Sequence, residues 1–372
     1  PLGLTWEKST TLNLGLDFAF LSNRLQFSGD IYQRKTTDMF TVGMSLPAVF
    51  GTDVPKGNYA DLTTKGFELS VSWRDQFQLA SKPFNYEVRF TLADYQSTID
   101  KYNNPEKKLG DDYYYEGMKV GEIWGYETEG FFTSQADIDS HAKQPYFYAG
   151  ATAGQWLPGD IKFKDLNGDG VIDYGNNTVD NPGDQKIIGN SEPRFIYGIN
   201  LSGDWNNFFV SAFFQGVGKQ DWWPGSEASY FWGMYNRPYN DMPKSHLGNI
   251  WTEENPNTYF PRLRGYSSEE PYAELNLKQT RYLQNIAYIR MKNIQLGYTL
   301  PKSFISKLRM QNAKVYVSGE NLWSWSPFYK YSKDLDVEAV RGSDRDLTEG
   351  TSGNGYSYPI LKSVSFGLSV TF

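Results

Sequence analysis

Between residues 363 and 372 the chain alternates without a fault. Val364, Phe366, Leu368, Val370 and Phe372 are apolar, and Ser363, Ser365, Gly367, Ser369 and Thr371 are small or polar. A period of two sends successive side chains to opposite faces of an extended strand, so this segment has one oily side and one hydrophilic side. The pattern recurs. Leu12, Leu14, Leu16, Phe18 and Phe20 alternate with Thr11, Asn13, Gly15, Asp17 and Ala19; Phe67, Leu69, Val71 and Trp73 with Gly66, Glu68, Ser70 and Ser72; Phe84, Tyr86, Val88, Phe90 and Leu92 with Asn85, Glu87, Arg89 and Thr91. A chain built this way is all-β and antiparallel.

Two architectures satisfy the alternation: a sandwich with its oily faces turned inward, and a membrane barrel with them turned to lipid. Strand length separates the two. Leu12 to Phe20 is about 27 Å of strand at ~3.4 Å per residue, or roughly 21 Å across the membrane at a tilt near 40°, close to the ~25 Å apolar band of outer-membrane barrels. Aromatic residues also collect at strand ends (Phe18, Phe20, Trp73, Trp323, Trp325), where an interfacial girdle would lie. Core aromatics of a soluble protein are the competing reading at this point.

Composition agrees with the barrel. Tyr, Phe and Trp number 27, 24 and 11, or 17% of the chain, yet mean hydropathy is -0.57, as expected when each lipid-facing residue alternates with a polar one. No run approaches the ~20 apolar residues of a spanning helix. The net charge of -7 leaves no basic excess for nucleic acid. The chain has no Cys and starts at Pro1 without Met or a signal peptide, so it reads as part of a longer or processed protein.

Ten strands are expected: 6–20, 23–36, 61–73, 84–100, 119–132, 195–204, 207–217, 285–299, 312–325 and 359–372. Tight connections at Leu21 to Arg24 and Asp204 to Asn207 belong on the periplasmic side of such a barrel. If both lie there, strands 119–132 and 195–204 run the same way and an eleventh strand is needed between them, with Gly159 to Lys164 as its candidate. A parity shift from Ile289 and Met291 to Ile294, Leu296 and Tyr298 predicts a bulge near Lys292 and Asn293. Pro301 to Met310 suggests a short amphipathic helix with Phe304, Ile305 and Leu308 on one side. Long loops are expected at about 133–194 and 218–284 of a single domain covering 1–372.

Candidate sites follow from residue type. Asp165, Asn167, Asp169, Gly170 and Asp173 fit positions 1, 3, 5, 6 and 9 of a calcium loop, where oxygens converge on a hard cation around a sharp Gly turn. Position 12 is Asn176 instead of the usual Glu, so a further ligand would have to come from Asp180 or Asp184. An Asp/Asn/Gly turn capping itself is the equal alternative. The 218–284 loop carries Trp222, Trp223, Tyr230, Trp232 and Tyr235, rings able to stack on sugars, anchor a protein interface or pack within the loop. Asp17, Asp30, Glu68, Glu87, Arg89, Arg290 and Lys292 fall on hydrophilic faces and would line a wet lumen, as a solvated face or in structural ion pairs rather than in direct contact with substrate. The two histidines, His141 and His246, the absence of a G-x-S-x-G motif and the lack of a Cys-based metal site argue for a non-enzyme.

The ordered strings LTWEKSTTLNLGLDF, YYEGMKVGEIWGYETEGFF, GDIKFKDLNGDGVID, FFQGVGKQDWW, WTEENPNTYFPRL, YIRMKNIQLGYTLPKSF and AKVYVSGENLWSWS, with terminal Phe372, resemble the C-terminal region of SusC/RagA-type TonB-dependent transporters of the Bacteroidetes. Each string alone is weak; the series in order is specific and spans nearly the whole chain. The resemblance implies a transmembrane β-barrel of about 22 strands, of which this chain supplies 10 to 11. It also implies a plug domain, not recognisable in this chain, and location in the outer membrane of a Gram-negative cell.

Active import of oligosaccharides or peptides under a SusD-like surface lipoprotein, with energy from TonB, is the implied function. The aromatic loops, including Tyr113 to Tyr115 and 326–358, become candidates for lid or substrate contact. Phe372 becomes the signal read by the barrel assembly machinery, and pairing of two SusC/SusD complexes is a further expectation. No cofactor is required, with calcium in a structural role at the Asp165 loop. The competing functions are a soluble secreted carbohydrate-binding or glycan-cleaving protein and a lidless siderophore receptor.

Overall fold

Tight reversals set the plan of the molecule. Ala80 and Ser81, and Asn206 and Asn207, all have positive φ, the left-handed pair that lets a two-residue loop follow the twist of its flanking strands. Leu21, Ser22 and Asn23 turn the chain the same way. The computed structural model describes residues 4–42, 49, 51, 54–110, 113–144, 155–226, 228–237, 239–269, 273–340 and 358–372. In chain order its strands are β1 (Lys8–Phe20), β2 (Leu25–Val42), β3 (Lys56–Leu79), β4 (Lys82–Lys101), β5 (Glu122–Tyr126), β6 (Thr128–Phe131), β7 (Ile161–Phe163), β8 (Gln185–Asn190), β9 (Arg194–Trp205), β10 (Phe208–Lys219), β11 (Asp221–Trp222), β12 (Gln284–Asn285), β13 (Tyr288–Thr299), β14 (Asn312–Trp325) and β15 (Ser363–Thr371).

Nine of them form one sheet in the order β1-β2-β3-β4-β9-β10-β13-β14-β15, and each neighbouring pair is antiparallel. The short connections at 21–24, 80–81, 206–207 and 300–311 therefore share one rim. The long ones, 43–55, 102–193, 220–287 and 326–362, share the other. β3 has 24 residues against the ~9–11 a tilted spanning strand needs, so the β2–β4 ribbon continues beyond the sheet on the long-loop side.

The oily faces point away from the protein. Leu14 is 69% exposed and Phe366 87% exposed, and Leu12, Leu16, Ile31, Leu201, Leu296, Val315 and Leu368 are exposed with them. Aromatic rings band the short-turn rim on that face: Phe18 stacks on Phe27 at 4.6 Å between ring centres, Phe77 meets Phe84 at 5.1 Å and Phe208 meets Tyr298 at 4.7 Å. This is the girdle expected where lipid gives way to water.

On the other face, aromatic rings lie across glycines on the facing strand. Tyr32 opposes Gly66, Phe209 opposes Gly297 and Tyr316 opposes Gly367 in register. A Cβ built at Gly297 would stand 2.2 Å from the Phe209 ring, so only glycine leaves room for the overlap.

Several expectations change. The 119–132 run is not a strand of the large sheet: it folds as β5 and β6, which pair with β8 and β7 in two separate ribbons. Gly159 to Lys164 contributes β7 to the second ribbon, so no eleventh spanning strand is needed. β4 pairs directly with β9, and the excursion between them starts at residue 102 instead of 133. A run of five or more alternating residues cannot reveal whether its partners are in the sheet or above it; β5 and β6 stop after 5 and 4 residues, too short to span. The predicted bulge is present, with Lys292 the extra residue opposite Phe213 and Phe214. The 301–310 segment makes only one α-turn, Lys302–Ile305, then a 3-10 turn. Ile305 is buried there while Phe304 faces out, so the two do not share an apolar side as expected; the Leu308 side chain lies outside the described residues.

The apolar core sits in the excursions. Tyr126, Ile161, Phe163, Trp222, Phe231, Trp232, Tyr235, Phe260, Tyr282, Phe328 and Leu335 form one buried cluster with their neighbours. It draws on 102–193, 220–287 and 326–340 together.

Candidate functional site

The inner face of the sheet and the loop core above it make up the candidate site. On the inner wall a recess of about 360 Å³ is lined by Ser28, Asp30, Glu68, Thr91, Tyr197 and Gln215 among others. Asp30 and Glu68 lie directly opposite each other on β2 and β3, a like-charge pair that only a wet setting tolerates cheaply. Asn13 Nδ2 donates to Asp30 at 2.9 Å. Glu87 is taken by Arg74 at 2.9 Å, and Arg89 donates to Ser70 at 3.2 Å. Asp17 is exposed on β1.

Arg290 and Lys292 behave differently from the rest of the wall. Arg290 Nη2 donates to Asp336 at 2.5 Å, and Lys292 Nζ donates to Glu338 at 2.5 Å. Arg290 also pairs with Glu338. These bonds fasten the segment after β14 against β13, and Leu335, Val337 and Val340 are buried beside them. Asp336 further accepts from the backbone N–H of Ile360 at 3.0 Å, so the same carboxylate also holds the approach to β15. Arg290 and Lys292 thus take the ion-pairing role expected for the inward charges, with Asp336 and Glu338 as partners that the sequence did not single out. A signal existed: two cations two residues apart, and two acids two residues apart in DLDVEAV, each a same-face pair on an extended segment.

Of the five aromatic residues expected to touch substrate or lid, the structure buries three. Trp222, Trp232 and Tyr235 are core residues. Trp232 Nε1 donates to the carbonyls of Pro224 and Gly225 at 3.0 Å, and Tyr235 OH donates to the Pro261 carbonyl at 2.6 Å. Trp223 is half-buried with its ring edge-on to Trp232 at 6.2 Å. Tyr230 alone of the five is exposed, at 55%, on a loop surface with Tyr239, Met242 and Leu247. Composition could not sort these roles, because a ring that stacks on a ligand and a ring that fills a core look alike in sequence. A second recess of about 410 Å³ lies among the excursions, walled by Tyr113, Tyr115, Trp124, Tyr126 and Tyr174. There Tyr115 OH donates to Glu122 at 2.5 Å, with burial raising the tyrosine well above its ordinary range.

The calcium-type string folds as a turn whose oxygens serve its own backbone. Asp165 accepts from the N–H groups of Gly168 at 2.6 Å and Gly170 at 2.9 Å, bonds that hold its carboxyl below the usual range, with the Gly170 bond the largest cause. Asn167 accepts from Asp169 N–H and Asp169 from Val171 N–H, each at 2.9 Å. Asp173 accepts from Gly175 at 2.7 Å. Buried Asp184 clasps the turn from behind, accepting from Leu166 at 2.7 Å and Asp173 at 2.8 Å. Among the described residues no group of three or more His, Cys, Asp or Glu is placed to hold a metal ion; the turn is held by its own backbone bonds and by Asp184.

Phe372 is 78% exposed just past β15 on its outward parity. His141 and His246 bond through Nε2 to the carbonyls of Phe163 at 2.8 Å and Phe231 at 2.9 Å, packing roles on both counts.

No protein-family model matches the chain. TonB-dependent receptor P3 of Formosa agariphila is 28% identical over 387 aligned residues, which take in 99% of this chain and 34% of that protein. TonB-dependent receptor SusC of Bacteroides thetaiotaomicron is 23% identical over 386, covering 99% and 32%. The chain thus spans about a third of the length of the curated relatives it matches. Among solved structures, the RagAB peptide transporter superposes with a TM-score of 0.70 at 19% identity, covering 99% of this chain and 35% of that one. The RagAB peptide importer in its closed-closed state gives 0.69 at 19%, covering 99% and 36%. The chain has the fold of part of the barrel in the RagAB importer structures, and over 99% of its length it is similar to proteins named TonB-dependent receptors, SusC among them.

Proposed function

We propose that this chain is the wall of an outer-membrane channel through which a TonB-driven importer takes up oligosaccharides or peptides. One observation carries the reading: the sheet exposes its apolar side chains outward from Leu12 to Phe372 while Asp30, Glu68 and other polar groups line its inner face. A soluble sandwich would bury the first set and expose the second. The relatives named TonB-dependent receptors and SusC, and the fold shared with a peptide importer, support the direction of transport. The role is one of binding and passage, without a reaction catalysed by this chain.

A surface lipoprotein of the SusD type is the proposed partner, meeting the long-loop rim where Tyr230, Tyr239, Met242 and Leu247 stand exposed. Exposed apolar side chains on the outer loops of a membrane barrel are suited to a protein interface. With Trp222, Trp232 and Tyr235 in the core, the aromatic richness of 220–287 does not favour sugar over peptide. Purification of the tagged full-length protein in detergent is the test. A lipoprotein should copurify, and mass spectrometry of retained small molecules should find glycan or peptide. A full-length protein that stays monodisperse without detergent would overturn the barrel, and consistent absence of the lipoprotein would favour a lidless receptor.

A further inference from the structure

Glu274 is the most deeply buried acid that the transport reading leaves without a task. It is wholly inaccessible, as is Asp160 beside it, although the two lie on different excursions of the chain. Asp160 precedes β7 in 102–193, and Glu274 follows the 3-10 turn Gly265–Ser268 in 220–287. The hydrogen bonds around them are shared unequally. Arg264 commits its fork to Asp160, with Nε at 2.8 Å from one oxygen and Nη2 on the other. Arg262 stands 3.9 Å from Asp160. Asp160 also accepts from the Leu157 N–H at 2.7 Å.

Glu274 receives much less. One oxygen accepts from the Ile161 N–H at 2.8 Å, a bond that joins the two excursions alongside those of Arg264 to Asp160, the Arg262 N–H to the Gly159 carbonyl and the Tyr126 N–H to the Lys278 carbonyl. The other oxygen, Oε1, is buried without a hydrogen-bond partner, as is Nη1 of Arg262. A bare buried carboxylate oxygen carries a far larger desolvation cost than a bare hydroxyl.

We infer that Glu274 is a proton-operated clamp: carrying its proton it fastens 220–287 to β7 of 102–193, and on losing it the two excursions part more readily. The charged and titratable groups facing it are Asp160 from the other excursion, Arg262 and Arg264 from its own, and the phenols of Tyr235 and Tyr282 in the surrounding core. Burial, then the negative charge of Asp160, pushes the carboxyl up to about 8, against the pull of the Ile161 N–H and the two arginines. The sign follows from linkage. A carboxyl raised in the closed state and ordinary when exposed lends stability that is complete below about 4.5 and lost as pH rises through about 8. The junction binds the rim of the channel together, so the outer loops should loosen toward alkaline pH.

Amide exchange at Ile161 and Phe163 in the full-length protein, compared with the Glu274→Gln variant at each pH, reads the clamp. The ratio of the two rates cancels the chemical pH dependence of exchange. It should rise by about tenfold per pH unit at most between pH 6 and 8 and then level off, the slope of a single proton. A ratio flat from pH 6 to 9 would overturn the inference. Should the variant fail to fold, infrared titration of the unmodified protein replaces it: a protonated carboxyl band must persist above neutral pH and disappear near pH 8. No such band means no clamp.

Discussion

At the scale of the residue, the side chains that hold the outer structure together are polar groups spent on backbone. Asp184 accepts two N–H groups from the Asp165 turn while being fully buried. Replacing it with Ala strands both donors, and each unsatisfied buried group costs about 1–3 kcal/mol, so Asp184→Ala should destabilise this excursion by roughly 2–6 kcal/mol. Limited proteolysis within 160–190 of the full-length protein should reveal it. Added calcium should neither restore the variant nor protect the unmodified turn. Stoichiometric calcium in the unmodified protein, lost on Asp165→Ala with Asp169→Ala, would reinstate the ion. The sequence placed these residues on a turn correctly. It could not say whether their oxygens converge, because convergence depends on φ at Gly168 and Gly170 and on Asp184, which lies 11 residues beyond Asp173.

At the scale of the element, alternation has a cost that differs between faces. Leu368 points outward near the middle of β15, and Ser365 points inward. Leu368→Arg should lower the amount of heat-modifiable barrel in the outer membrane, since a cation at mid-bilayer costs about 2–4 kcal/mol. Ser365→Arg should leave assembly near normal, and equal yields for the two would mean that the face assignment is wrong. Phe372→Ala is expected to reduce assembled barrel as well, on the reading of the C-terminal aromatic as an assembly signal; unchanged yield would remove that role. Strand faces were legible because period two needs no partner to be seen. Strand partners were not: the run at 119–132 alternates well enough, yet pairs with β7 and β8 outside the large sheet. The aromatic-over-glycine contacts on the inner face were also hidden, since each joins residues on different strands and depends on register.

On the scale of the whole molecule, the sheet is an arc with two free edges. Among the described residues β1 and β15 each have one neighbour. Open edges in hydrocarbon leave backbone groups unpaired at several kcal/mol each, so the wall must be completed by strands that this chain does not supply. Expressed by itself in water, the chain should aggregate and remain so until detergent is added, which light scattering would show. A monodisperse solution without detergent would contradict the lipid-facing surface. Over the arc, the three excursions share one apolar core, which explains why the aromatic residues of 220–287 are mostly unavailable to a ligand.

The amino-acid sequence by itself determined the all-β class, the faces of the strands, the reversals at 21–24 and 204–207 and the bulge at Lys292, because each depends on neighbours along the chain. Tertiary structure alone decided that β4 meets β9, that Trp222, Trp232 and Tyr235 lie inside, that Arg290 and Lys292 clamp Asp336 and Glu338, and that Glu274 reaches Ile161. Those outcomes join residues tens of positions apart. Their energies come from burial and from hydrogen bonds closed in space, which no local period records.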